Sequence, residues 1–236
     1  MNKSFRVLAL VTIALITVCC KKESEPPVEL LKPSNYYPLK VGSYHIYNVD
    51  SISYNDFTDP VTIDSISYQV KEELTDTFYD LEANLCYRIT RSKRALDDSL
   101  INTNDGWKVS DVWWVRSNNG NIERVEENNI YVSLMHPVAE GKEWDGNAFN
   151  YTSSWDFTYE NVGKVYNEYD ETLIVNQKFF TDDKYFYQNY KEVYAKGIGL
   201  ISRTRIDTES QKQQVLSLPE KGFKFYQVLD SYFIPE

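Results

Sequence analysis

The chain has 236 residues and a net charge of −10, with 35 Asp and Glu against 25 Lys and Arg. An acidic protein is repelled by phosphate backbones and anionic headgroups, so the composition argues against nucleic-acid binding. Aromatic residues are frequent, with 19 Tyr, 11 Phe and 5 Trp, and this favours β-strands.

The N-terminus predicts a lipoprotein signal peptide. Lys3 and Arg6 form a basic start, and the apolar run Val7–Val18 follows and ends at a pair of cysteines. The run is shorter than the roughly 20 residues needed to span a bilayer and has the length of a secretory signal. We expect residues 1–19 to be removed, which lowers the net charge from −10 to −12.

Two cysteines are candidates for the lipid anchor. The residue before Cys20 is the small Cys19, whereas the residue before Cys19 is the β-branched Val18. We assign lipidation to Cys20, with Cys19 as the alternative, because the segment resembles a bacterial lipobox, which has a small residue before its cysteine. Two or more acyl chains hold a protein stably on a membrane. With Cys20 acylated, Cys86 has no partner for an internal disulfide.

The segment after the cysteines has the composition of a tether. Residues 20–35 contain three prolines and charges of both signs, which disfavour regular structure. We expect a lipidated N-terminus and flexible tether over residues 20–35, and a single β domain over residues 36–236.

Alternation of apolar and polar residues predicts strands in this domain. The alternating segments are Ile66–Val70, Leu85–Ile89 and Trp155–Tyr159. Runs that are apolar on both faces are Tyr44–Val49, Val112–Val115 and Phe223–Ile234. The turn Asn118–Asn121 predicts a hairpin. The pattern predicts an all-β fold of about ten strands, arranged as an antiparallel sandwich, barrel or strongly curved sheet.

Three short motifs carry a family resemblance. They are Tyr37–Tyr44 (Y-P-L-K-V-G-S-Y), Pro137–Asn147 with its G-K-E-W-D-G-N end, and Tyr194–Ile201 (Y-A-K-G-I-G-L-I). Together with the signal peptide they resemble uncharacterised envelope lipoproteins of Bacteroidota. The resemblance implies a β-rich fold at the outer membrane, lipid-anchored on its periplasmic or cell-surface side, and it transfers no catalytic residue.

Motifs for catalysis or metal binding do not stand out. The two histidines, His45 and His136, have no neighbouring ligand pattern, and the chain has no G-x-S-x-G sequence and no phosphate-binding glycine loop. Adjacent acidic residues on a strand point to opposite faces and do not converge by themselves. We therefore predict no catalytic residue, no metal and no cofactor, with a hydrolase built from distant carboxylates as a remaining alternative.

Tryptophans are the candidate ligand-binding residues. Trp113 and Trp114 face opposite ways on a strand, so one of them is expected outside the core, and Trp107 and Trp144 lie beside turns. The competing interpretation places all four in the core. One dense basic group (Arg88, Arg91, Lys93 and Arg94) is interpreted as a solvated strand end, with an anionic-ligand contact as the alternative.

Three functions remain open from the sequence. The first is a non-enzymatic envelope lipoprotein that binds a ligand or partner, with a glycan or an apolar molecule as possible ligands. The second is a structural or assembly component without a small-molecule site, and the third is the hydrolase. In each case the expected partners are the membrane, through the lipid anchor, and an unidentified protein or glycan.

Overall fold

Strands make up nearly all the regular structure of residues 30–96 and 106–236, which the computed structural model describes. The twelve strands are β1 (Tyr44–Asn55), β2 (Thr62–Tyr79), β3 (Leu85–Ala95), β4 (Lys108–Asn118), β5 (Asn121–Glu126), β6 (Asn129–Leu134), β7 (Glu143–Asp145), β8 (Asp156–Tyr166), β9 (Tyr169–Thr181), β10 (Phe186–Ala195), β11 (Gly199–Glu209) and β12 (Lys221–Phe233). A short 3₁₀ helix, Pro33–Asn35, precedes them. The all-β prediction is confirmed, with twelve strands where about ten were expected.

All strands belong to one antiparallel sheet. Its order is β6-β5-β4-β3-β2-β1-β12-β11-β10-β9-β8-β7, so pairing of β1 with β12 joins two meanders. The edge strands approach each other: the Val132 N–H donates to the Gly146 carbonyl at 2.9 Å, and the Trp144 Nε1–H donates to the Val132 carbonyl at 2.7 Å. The sequence left a sandwich, a barrel and a strongly curved sheet open, and the sheet is nearly closed and barrel-shaped.

The hairpin between β4 and β5 forms where the sequence predicts it. Asn118 pairs with Asn121, and the two residues between them, Asn119 and Gly120, have φ angles of 50° and 84°. Two consecutive positive φ values define a type I′ turn, whose twist matches that of the flanking strands.

The predicted strand Ile66–Val70 lies within β2, but the interpretation of its apolar face as covered is wrong at Ile66. This side chain is 61% exposed. The 18-residue β2 is longer than its neighbours, and β3 pairs with it only as far as Tyr68. Ile66 therefore lies on the part of β2 that extends past its described pairing with β3, where β1 is its one neighbouring strand among the described residues.

The hydrophobic core occupies one end of the sheet interior. Tyr47 pairs in register with Val70 and Leu229, and all three are buried. The segment before β1 closes this end, because Tyr36 is 1% exposed and belongs to the same core. The opposite end, reached along β1 towards Ser51, carries charged and aromatic side chains.

The described compact unit is Leu31–Glu236 and begins five residues before the expected boundary at Tyr36. The signal peptide and both candidate lipidation sites, Cys19 and Cys20, lie outside the described residues. Within residues 30–96 and 106–236, no helix is long and apolar enough to cross a membrane. Cys86 is buried and unpaired.

Candidate functional site

Buried ion pairs form a layer above the hydrophobic core. The Arg203 Nε–H donates to Glu192 Oε1 at 2.7 Å, and both side chains are 4% exposed. The Arg91 Nε–H donates to Glu72 Oε1 at 2.9 Å, and these side chains are 9% and 8% exposed. Buried charges require such partners, because an uncompensated one is costly in a low-dielectric interior.

Arg124 and Glu126 complete this layer. Arg124 is 1% exposed, and its Nε–H donates to Glu126 Oε1 at 2.6 Å. The same oxygen lies 3.5 Å from Arg203 Nη2. Burial alone would raise the pKa of Glu126, but the guanidinium groups of Arg124 and Arg203 outweigh it and lower the pKa to about 2. Glu126 is therefore a fixed negative charge at neutral pH.

The other two buried carboxylates behave in the same way. Burial opposes ionisation of Glu72 and Glu192, yet nearby arginines lower the pKa of each below its ordinary value. Glu192 also accepts a hydrogen bond from the Tyr194 hydroxyl at 2.6 Å. All three carboxylates of the layer are thus ionised, whereas a general acid at neutral pH needs a raised pKa.

A cavity of about 430 Å³ lies above the ion-pair layer, at the end of the interior opposite the core. Its volume is within the range of ligand pockets, roughly 300–1,000 Å³. The walls come from strands on both sides of the β1–β12 junction. They comprise Ser51, Tyr68, Arg91, Lys93, Trp113, Glu126, Glu127, Asn129, Tyr131, Arg203, Arg205, Phe223 and Phe225.

Arg205 is the distinctive charged group of this lining. It lies two residues after Arg203 on β11, and alternation places both on the inner face. Within residues 30–96 and 106–236 its guanidinium has no hydrogen-bond or ion-pair partner, and its Nε atom is buried. Burial, followed by repulsion from Arg203, lowers the pKa of Arg205. The cavity therefore holds a guanidinium without a protein counterion in direct contact.

Trp113 forms part of the inner wall and is 7% exposed. The Arg91 guanidinium lies 3.8 Å from the centre of its ring, and that of Arg124 lies 5.2 Å away, both within cation–π range. The indole Nε1–H is buried and has no acceptor in the described residues. This N–H is therefore an unsatisfied donor beside the cavity that is itself shielded from the cavity space.

Aromatic rings line the rim near Arg205. Tyr131 contacts Trp155 with ring centres 6.2 Å apart, Trp155 contacts Tyr190 at 6.0 Å, and Tyr190 contacts Phe223 at 6.4 Å. Arg205 pairs in register with Tyr190 on one neighbouring strand and with Phe225 on the other. Arg205 therefore has an aromatic residue beside it on each neighbouring strand.

The structure places the four candidate tryptophans in different environments. Trp113 belongs to the buried core cluster and also lines the cavity, whereas Trp114 lies outside the core, faces the other way and contacts Phe78 edge-on at 6.1 Å. Trp107 lies under the Arg94 guanidinium at 4.3 Å. Trp144 is buried in the core. The four therefore do not form one site, and a ligand-binding role for each of them stays a prediction.

The basic group is not the solvated strand end expected from the sequence. Arg91 and Arg94 are 8% and 6% exposed, because β3 lies inside a nearly closed sheet and both side chains are paired. Arg91 and Lys93 share the inner face and line the cavity, while Arg88 is exposed and pairs with Asp76 at 3.0 Å. Arg203 and Arg205 were missed by the sequence analysis, although their i, i+2 spacing on a strand was a usable signal.

Histidines and acidic residues do not assemble a metal site in the part of the chain that the structure describes. His45 lies on β1, and its Nε2 is 2.7 Å from the Ile198 carbonyl oxygen. Burial lowers its pKa, so this imidazole is a neutral structural group. The second cavity beside it, about 30 Å³, has space only for water-sized molecules.

Comparisons with known proteins give little further information. No family model matches the chain, and no curated protein matches it. Among solved structures, a crystal structure of "a putative exported protein with YMCC-like fold" from Bacteroides fragilis aligns with 85% of this chain and 99% of its own, at 11% identity and a TM-score of 0.44. The site is therefore interpreted from its own residues.

Proposed function

We propose that the protein is an exported, lipid-anchored binding protein of the bacterial envelope that holds a small molecule in the interior of its sheet. The observation that carries the proposal is the cavity of about 430 Å³ above the ion-pair layer. Buried donors on its wall, Trp113 Nε1 and Arg205 Nε, have no protein acceptor in the described residues. Arg205 itself lines the cavity and has no ion-pair partner in the described residues, so a polar ligand there would give its guanidinium a partner.

Binding is favoured over catalysis by the state of the carboxylates. Glu72, Glu126 and Glu192 are held ionised by neighbouring arginines, so none is suited to donate a proton at neutral pH. Their role in the proposed function is to hold Arg91, Arg124 and Arg203 in fixed positions beneath the ligand.

The location rests on the sequence. The apolar run Val7–Val18 and the following cysteine predict export and lipidation at Cys20, and we propose an outer-membrane anchor on the periplasmic or cell-surface side. Intact-mass analysis of membrane-extracted protein should show acyl chains on a polypeptide that begins at Cys20. Recovery of an unmodified protein in the soluble fraction would contradict the anchor.

A cavity-filling substitution tests the binding function. Ser51 lines the cavity, and Ser51→Trp should occupy part of its volume. Ser65 is exposed on the outer face of the neighbouring strand, so Ser65→Trp is a matched control. Each protein is purified from its native membrane and extracted with solvent, and the extracts are compared by mass spectrometry.

The wild type and S65W should release a small molecule that is depleted in S51W, provided that all three give the same circular dichroism spectrum. The same extract from all three proteins would contradict a ligand in the cavity. It would leave the structural or assembly role as the better account.

A further inference from the structure

The charges around the cavity are unevenly compensated. Arg203 is fully engaged by Glu192 and Glu126, and Arg91 is engaged by Glu72. Glu126 lines the cavity, and both Glu126 and Glu192 interact electrostatically with Arg205, but no carboxylate of the described residues lies within ion-pair distance of its guanidinium. A ligand that reaches Arg205 therefore meets a cation that has no direct ion pair with a described residue.

The rim adds further positive charge. Lys93 lines the cavity, is exposed, and pairs in register with Lys108 on the neighbouring strand. Like charges directly opposite each other on a sheet are destabilising, so an anion placed between them is favoured. The lining has four cationic side chains (Arg91, Lys93, Arg203 and Arg205) against the two carboxylates Glu126 and Glu127, in a chain whose net charge is −10.

The remaining surface of the cavity is suited to a flat apolar group. Phe225 lies beside Arg205 in register, and Phe223 follows it on the same face of β12. Phe223 continues into the ring contacts with Tyr190 and Trp155. Aromatic faces stack with planar rings, and ligand pockets commonly combine such walls with a few polar groups that fix orientation.

We propose that the ligand is a small organic acid with a planar ring, whose carboxylate pairs with the Arg205 guanidinium while its ring packs against Phe223 and Phe225. This inference rests on the proposed binding function and names the ligand class of the same cavity. Arg is suited to the task because its planar guanidinium meets a carboxylate with two parallel hydrogen bonds.

Two probes that differ only in charge test the proposal. They are 2-naphthoate and its neutral amide, 2-naphthamide, measured by equilibrium dialysis against the purified full-length protein in detergent, with protein-free micelles as the blank. The wild type should bind 2-naphthoate at least tenfold more tightly than 2-naphthamide, as expected for a charge-assisted pair. Acetate, which lacks the ring, should compete at least a hundredfold more weakly than 2-naphthoate.

Arg205→Gln should reduce this preference to about onefold while it leaves 2-naphthamide binding within about twofold, since the amide does not use the charge. Arg88→Gln is the matched control: it removes the same charge from the exposed outer face and should keep the preference. Three results would each contradict the proposed ligand class. They are equal binding of the two probes by the wild type, an unchanged preference in R205Q, and competition by acetate as strong as that by 2-naphthoate. Ligand release that is lost in S51W would still support the proposed function in those cases.

Discussion

Arg203 and Arg205 lie two residues apart on the inner face of β11, yet their environments differ. Arg203 pairs with Glu192 at 2.7 Å and lies 3.5 Å from Glu126, whereas Arg205 has no ion-pair partner in the described ranges. The first arginine belongs to the layer that separates core from cavity. The second faces the cavity itself, and this difference is the basis of the ligand assignment.

Removal of Arg203 should destabilise the protein strongly. Arg203→Ala leaves Glu192 buried without its main counterion, and breaking a buried pair costs about 3–5 kcal/mol. Urea denaturation should show this as a lower midpoint. Asp76→Ala, which breaks the exposed pair with Arg88, should cost no more than about 1 kcal/mol. Equal losses in the two variants would contradict the buried layer.

Acid should destabilise the folded protein through the same carboxylates. The folded-state pKa of Glu126 is lowered from its ordinary 4.5 to about 2, and those of Glu72 and Glu192 are also lowered. Such groups stabilise the fold fully above the unfolded-state pKa and lose that contribution as the pH falls towards the folded-state value.

The urea midpoint should therefore fall steeply between about pH 4.5 and about pH 2, and less steeply in Glu126→Gln, which has no proton to take up. A wild type and an E126Q variant with the same dependence would contradict the assignment of Glu126.

The two adjacent tryptophans should differ in their contribution to stability. Trp113 is 7% exposed between Arg91 and Arg124, so Trp113→Ala should cost about 3–5 kcal/mol of unfolding free energy. Trp114 is half-buried on the outer face, and Trp114→Ala should cost less, with about 0.5–1.5 kcal/mol from its contact with Phe78. Chemical denaturation of both variants measures the difference. A larger loss of unfolding free energy for W114A than for W113A would contradict the assignment of Trp113 to the inner face and Trp114 to the outer face.

Gly222 should tolerate no side chain. Its φ is 103°, and a Cβ there would lie 1.9 Å from the Asp207 carbonyl oxygen on β11. Gly222→Ala should cost at least about 2 kcal/mol, because backbone strain and a backbone clash add. Gly163→Ala is the control: it also has a positive φ, but no atom lies within 4 Å of the added carbon. Thermal denaturation should show a clearly lower midpoint for G222A than for G163A.

Local chemistry made part of this fold predictable from the sequence. Asn119-Gly120 predicted the β4–β5 hairpin because few other residues adopt two positive φ values in succession. Alternation placed Phe157 and Tyr159 on a buried face, which the structure confirms at 2% and 0% exposure. Such signals act over a few residues and do not depend on the rest of the chain.

The candidate site could not be predicted from the sequence, because its residues come together through strand pairings between distant parts of the chain. Arg205 meets Phe225 only because β11 pairs with β12, and Arg91 lines the same cavity only because the sheet nearly closes. Alternation also failed at Ile66, where the strand extends beyond its neighbour. Side chains on distant strands converge through register, so the charged interior could not be derived from spacing along the sequence.

The position of bound 2-naphthoate in a crystal structure tests the account most directly. We predict that its carboxylate lies about 3 Å from the Arg205 guanidinium nitrogens, with the ring against Phe223 and Phe225. A probe bound elsewhere on the protein, with the cavity unoccupied and no contact to Arg205, would contradict both the site and the role of Arg205.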